Sequence, residues 1–249
     1  MLGTVKYHKK HKESVKITNS KFLYDDDFEL VESWLKGYKI THKTIDCEIM
    51  DIADEIAYAV HDLEDSLKLK YFSIDELLHE FRISEKFKDM TPIFSKIIEE
   101  AKEFASKSEI YNTSEEYEML FRKELSSILA ATLIKDVGLT FENIIGYKNL
   151  EKLALGLKKL TFKTIQRQSD IIEYEQLGKH VLTKLFELYT DEDYNKDLKL
   201  LPANYRSIEN WDRRVLDYIG GMMDIYAIQQ YEKYFGKLDD KGLYFKQKK

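Results

Sequence analysis

Ten glycines and two prolines in 249 residues are too few turn-formers for a chain made of many short strands. That scarcity excludes an all-β sandwich. From Phe28 onward the apolar residues recur at three and four rather than at two, which is the period of an amphipathic helix. The pattern predicts a helix from about Asp27 to Gly37 and a long one from about Asp46 to Lys70. A short helix opens at Ser73-Ile-Asp-Glu, with acids in its first turn. Thr91-Pro92 opens another, because proline suits the first helical position, where its missing N–H would be unpaired anyway. Further helices are expected from Ser114 to about Gly138, over about 149–168, over 170–189, and from Ser207 to Phe235 with Gly236 as the stop. The stretch 189–205 has no period and reads as a loop. At a soft prior of about 100–200 residues per domain, the length allows one large or two small domains. The expected fold class is all-α, a multi-helix bundle of about eight helices. It is read as a single domain over 1–249, with 1–26 a basic and acidic irregular lead-in and 27–249 the helical body.

Hydrophobic residues make up 43% of the chain and charged residues 34%, enough for a core and against a membrane or collagen class. No apolar run approaches the roughly 18 residues that span a bilayer, and the first residues, MLGTVKYHKK, have no apolar core like that of a secretory signal. A formal charge of −6 gives no global pull toward nucleic acid or acidic lipid. Cys47 is the only cysteine, so it forms no internal disulfide and no cysteine zinc cluster; it fits a reducing, cytoplasmic setting and reads as an inert, partly buried thiol. The basic run of Lys6, Lys9, Lys10, Lys12 and Lys16 is followed by Asp25, Asp26 and Asp27. Such a run is solvated surface or a loop facing phosphate.

The most informative stretch runs from Asp51 to Asp65. At about 100° per residue, Asp51, Asp54, Tyr58, His61, Asp62 and Asp65 share roughly 100° of arc, and Ile52, Ile56, Ala59, Val60, Leu63 and Leu67 take the opposite side. Like charges at this spacing repel by about 0.2–0.5 kcal/mol per pair, so a divalent cation or a cluster of Arg and Lys should offset them. A solvated acidic face is the plain alternative, although it has no use for the large ring of Tyr58. A second stretch, Asn210 to Ala227, lines up Arg213, Asp217, Gly220 and Asp224 and holds two adjacent glycines. Glycine inside a helix costs about 1 kcal/mol relative to alanine. Tight helix packing or the approach of a ligand would offset that cost. Arg213 or Arg214 could grip phosphate with two parallel bonds, or pair with an acid on the surface.

These two stretches together resemble the dGTPase family, the HD-domain deoxynucleoside triphosphate triphosphohydrolases. The first matches A-D-[DE]-I-x-Y-x-V-x-D-L-E-D at Ala53 to Asp65, and the second matches D-Y-I-x-G-M-x-D-x-Y-A at Asp217 to Ala227. Leu157-Lys158-Lys159-Leu160, Glu175-Gln-Leu-Gly178 and Leu185-Phe186 are similar to the family's C-terminal helices, and Leu2 to Tyr7 is similar to the segment before its metal-binding helix. The resemblance implies an enzyme that cuts a deoxynucleoside triphosphate into deoxynucleoside and triphosphate. A divalent metal, Mg²⁺ or Mn²⁺, is held there by a His, a His-Asp pair and a later Asp. By resemblance the later Asp is Asp54, Tyr58 lies against the deoxyribose, and Asp62 bonds the sugar 3′-hydroxyl. Arg213 and Arg214 are further candidates for phosphate.

The sequence departs from the family at the metal. Its six histidines are His8, His11, His42, His61, His79 and His180, and the sole His-Asp dipeptide, His61-Asp62, lies inside the motif that assigns Asp62 to the sugar. The family's His and His-Asp ligands sit upstream of the matched region. The expectation is therefore one metal ligand of four, and an incomplete hydrolase that acts only with an upstream HD-containing polypeptide. The alternative, from another class, is a non-catalytic helical module that binds nucleotide or assembles into a homo- or hetero-oligomer. No G-x-x-x-x-G-K-[ST], G-x-G-x-x-G, H-E-x-x-H or G-x-S-x-G motif occurs.

Overall fold

The computed structural model describes residues 5–10, 21–40, 44–107, 113–141, 143–208 and 210–238. They fall into two compact units, 1–165 and 166–249. Among the described residues there are ten α-helices and one two-stranded sheet, so the all-α expectation holds.

The first unit holds α1 (Asp25–Gly37), α2 (Ile45–Lys68), α3 (Ile74–Ile83), α4 (Thr91–Ser106), α5 (Ser114–Asp136), the strands β1 (Val137–Leu139) and β2 (Ile145–Tyr147), and α6 (Glu151–Ile165). Side chains close the exposed N–H groups at the helix starts. Thr44 accepts from the Cys47 amide, and Ser73 with Glu76 and Thr113 with Glu116 form reciprocal capping boxes. Helix α2 is the centre of the unit. It packs against α5 and α6, while α4 packs on α5 and α3 on α6. Its buried side is the apolar one read from the sequence: Ile56, Ala59, Val60 and Leu63 join Leu77, Phe81, Phe94, Leu129 and Leu157 in one core.

The chain turns between α5 and α6 through an antiparallel hairpin with Gly138 opposite Gly146. The helix expected to run to Gly138 therefore stops at Asp136. The Asp136 carboxylate accepts from the Asn149 and Leu150 amides at 2.8 and 2.7 Å and from Asn149 Nδ2 at 3.1 Å, fixing the entry to α6. The strands are too short for the sequence to show any alternation.

The second unit holds α7 (Ser169–Thr190), α8 (Ala203–Arg206), α9 (Trp211–Gly220) and α10 (Asp224–Phe235). Helix α7 packs against α9 and α10 around Leu185, Tyr189, Val215 and Tyr218. The expected loop over 189–205 contains a 3-10 turn (Lys196–Leu198) and α8. Buried Asn195 organises it, donating to the Tyr189 carbonyl at 2.8 Å and accepting from the Leu200 amide at 2.9 Å.

The single helix expected from Ser207 to Phe235 is two. Asn210 caps α9 by accepting from the Arg213 amide, and α9 ends at Gly220. Met223 is extended, and Asp224 begins α10. The glycines do not mark a close approach: a Cβ on Gly220 would meet nothing within 4 Å, and one on Gly221 would make only ordinary contacts from 3.4 Å. The stripe of Arg213, Asp217, Gly220 and Asp224 is broken with it. Gly236, at φ 89°, does close α10 as expected.

Candidate functional site

One face of α2 carries the candidate site, in the first unit. Asp54, Tyr58 and Asp62 stand on three successive turns of that face, at i, i+4 and i+8. Asp51 and Asp54 are half-buried, and Tyr58 and Asp62 are exposed.

The lysines supply the offsetting charge. Lys6 donates to Asp54 Oδ2 and lies 3.5 Å from Asp51 Oδ1. Its bond to Asp54 holds the ammonium above its ordinary value, against the opposing effect of burial. Lys158, from α6, sits 5.5 Å from the centre of the Tyr58 ring, within cation–π range. Lys21 donates to the Tyr7 hydroxyl at 2.8 Å, and that bond raises its ammonium; Tyr58 and Lys6 also act on it. Two lysines of the basic lead-in thus stand beside the acidic face of α2.

Two carboxyls on this face are pushed up. Partial burial raises Asp62, Asp65 one turn on adds to it, and Lys158 and His61 oppose it. Burial raises Glu55 as well, and Lys158 opposes it. Lys158 therefore acts on Tyr58, Glu55 and Asp62 together. The sequence reading missed Lys6, Lys21 and Lys158 as neighbours of the α2 face. The demand for a cation to offset the repelling carboxylates was its sole signal.

The residues fit a metal only in part. Asp54 offers one carboxylate, and a lysine ammonium already stands against it. Among the described residues no three of His, Cys, Asp or Glu cluster as a metal would need. His61 is exposed and lines the groove between α2 and α5. His8 is stacked on Phe28 at 4.6 Å, with Nε2 2.8 Å from Glu32 Oε1. His180 Nε2 lies 3.1 Å from the Tyr231 hydroxyl, and His79 is exposed. His11 and His42 lie outside the described residues. The described residues do not by themselves make a metal centre.

Arg213 and Arg214 lie in the second unit. Arg213 Nε bonds its i+4 neighbour Asp217 at 3.3 Å, and Arg214 Nε donates to the Ile208 carbonyl. Cys47 is buried with its thiol 3.6 Å from the Val5 carbonyl, which ties the lead-in to the start of α2.

Residues 147–233 match the phosphohydrolase-associated domain. The deoxyguanosinetriphosphate triphosphohydrolase-like protein 2 of Vibrio cholerae is 52% identical over 231 residues, covering 92% of this chain and 57% of its own length. This chain is a relative of the dGTPase-like proteins. Those of Geobacter sulfurreducens and Histophilus somni are 27% and 26% identical, over 85% and 78% of this chain and 54% and 44% of their own lengths. The chain spans about half the length of the curated relatives it matches. Among its described residues no helix is long and apolar enough to cross a membrane.

Proposed function

We propose that the chain is the part of a deoxynucleoside triphosphate triphosphohydrolase that holds the deoxyribose and one of the metal ligands. The observation that carries this is the α2 face, where Asp54, Tyr58 and Asp62 follow one another by single turns within reach of two lysines. The relatives' names, deoxyguanosinetriphosphate triphosphohydrolase-like, suggest the reaction class.

In this reading the deoxyribose lies on the exposed ring of Tyr58 and its 3′-hydroxyl donates to Asp62. Asp54 would be one ligand of a divalent cation, and Lys6, now on Asp54, would then face the substrate's phosphates. Mg²⁺ or Mn²⁺ is the cation expected, with its remaining ligands coming from residues outside these 249. Arg213 and Arg214 stand second: a phosphate reaching Arg213 must first displace Asp217.

The test is triphosphate release from dGTP and from mixed dNTPs in Mn²⁺ or Mg²⁺. It uses the chain together with the part of the Vibrio cholerae protein that lies outside the match. Activity that falls at least a hundredfold in Asp54→Ala supports the reading, and no release with either protein refutes it. One observation favours a second reading, a non-catalytic nucleotide-binding or oligomerisation module: Lys6 satisfies Asp54 with no metal. Under that reading dNTP binding is unchanged in Asp54→Ala and needs no divalent cation.

A further inference from the structure

On α2, the carboxylate face has an apolar border. At 3.6 residues per turn, Ala53 and Ala57 lie about 60–100° to one side of Asp54, and Asp51, Tyr58 and Asp62 lie about 40–80° to the other. Lys6 and Lys158 serve the second side. On the first side, Ile45, Ile49, Ala53 and Ala57 form an exposed row at i, i+4 spacing, with Ile45 64% and Ile49 52% exposed. Across from them α5 presents Ser127, Ala130 and Ile134, the last 60% exposed. Ala53, Ala57 and His61 on α2 and these α5 residues line an open, almost wholly apolar groove of about 420 Å³; Ile45 and Ile49 lie outside its lining. The hairpin also exposes Leu139, Phe141 and Ile144, and it is pinned to α2 where the Ile145 amide donates to Glu48 Oε2 at 2.9 Å.

A lone exposed leucine means nothing, but a contiguous apolar face marks an interaction site. Small residues on both walls let another backbone come close, as a helix does in a groove. The occupant follows from two facts. The chain spans 57% of a relative with which it shares 52% identity, so over two-fifths of that relative's length has no counterpart here. The groove also borders Asp54 on the side that neither lysine serves, where further groups could reach that carboxylate.

We propose that the α2–α5 groove is the seat of a helix from the remainder of the dGTPase-like protein, and that the hairpin tip extends this interface. The inference rests on the proposed function for the identity of the occupant.

The test mixes the purified chain with the part of the Vibrio cholerae protein outside the matched 231 residues. Size-exclusion chromatography with light scattering reads the stoichiometry, and titration calorimetry the affinity. The expected result is a one-to-one complex, at least tenfold weaker with Ile134→Glu and with Ala130→Glu. Phe104→Glu, at an exposed apolar position on α4, should leave it unchanged. Circular dichroism shows that each variant keeps its helices. Three outcomes overturn the proposal: no complex, a complex indifferent to both groove variants, or self-association of the chain that Ile134→Glu abolishes, which gives the groove to a second copy. A groove-dependent complex that releases no triphosphate refutes the proposed activity and leaves this interface standing. Release that ignores the groove variants does the reverse.

Discussion

Asp136 shows how much one side chain decides locally. Its carboxylate takes three bonds at the point where the hairpin hands the chain to α6, and α6 carries Lys158 to Tyr58. Burial alone would raise this carboxyl, but the bonds from the Asn149 and Leu150 amides outweigh it and hold it below the usual 3.8. The charged form is thus favoured by folding, so its contribution is present above the unfolded value and is lost as pH falls through the lower folded one. Asp136→Ala should cost about 1–3 kcal/mol at neutral pH, and the gap to the parent should close on acidification below about pH 4 in urea melts. A gap that persists into strong acid would remove the charge from the account. Lys6 is different. Its ion pairs are partly exposed, and Lys6→Met should change stability by no more than about 1 kcal/mol. Folding raises its ammonium, so whatever it adds is present below pH 10.5 and is lost above. Asp54, Tyr58 and Asp62 were legible in the sequence because 3.6 residues per turn sets them on one face without help from the rest of the fold. Lys6, 48 residues from Asp54, was not, because no local period links a lead-in to a helix.

Two glycines at the element scale separate packing from propensity. Gly156 lies inside α6, and a Cβ there would come within 2.6 and 2.9 Å of the Phe81 ring and 3.3 Å of Phe87. Gly178 lies inside α7, and a Cβ there would meet nothing within 4 Å. Both would gain about 0.5–1 kcal/mol of helix propensity as alanine. At Gly178 that gain should appear in full as added stability. At Gly156 the crowding of α3 against α6 should outweigh it, leaving a net loss of about 1–3 kcal/mol. Equal effects at the two sites in thermal or urea melts would refute the argument. The same contrast explains where element reading worked. Helix starts were legible where Ser73 and Thr113 announce a capping box. The end of α9 was missed because Gly220-Gly221 reads equally as an expensive helix interior or as a stop, and only the extended Met223 beyond it decides.

The whole molecule divides its apolar burial unevenly. Among the described residues the first unit gathers 23 buried apolar residues in one core, and the second gathers nine. Local opening costs less where fewer apolar contacts must be broken. Amides of α7, α9 and α10 should therefore exchange with solvent through a cheaper, sub-global opening than those of α2 and α5. Leu185→Ala should lower protection in the second unit by about 2–5 kcal/mol and leave α2 and α5 unaffected, whereas Leu129→Ala should lower protection in the first. Native-state hydrogen exchange on both variants reads this residue by residue. If Leu185→Ala lowered protection equally across α2, the two cores would open as one, and the α2 face would draw its rigidity from the whole chain. If protection drops in the second unit alone, the α2 face is held by α5 and α6. The order of Asp54, Tyr58 and Asp62 is then a property of residues 1–165, independent of how firmly Arg213 and Arg214 are held.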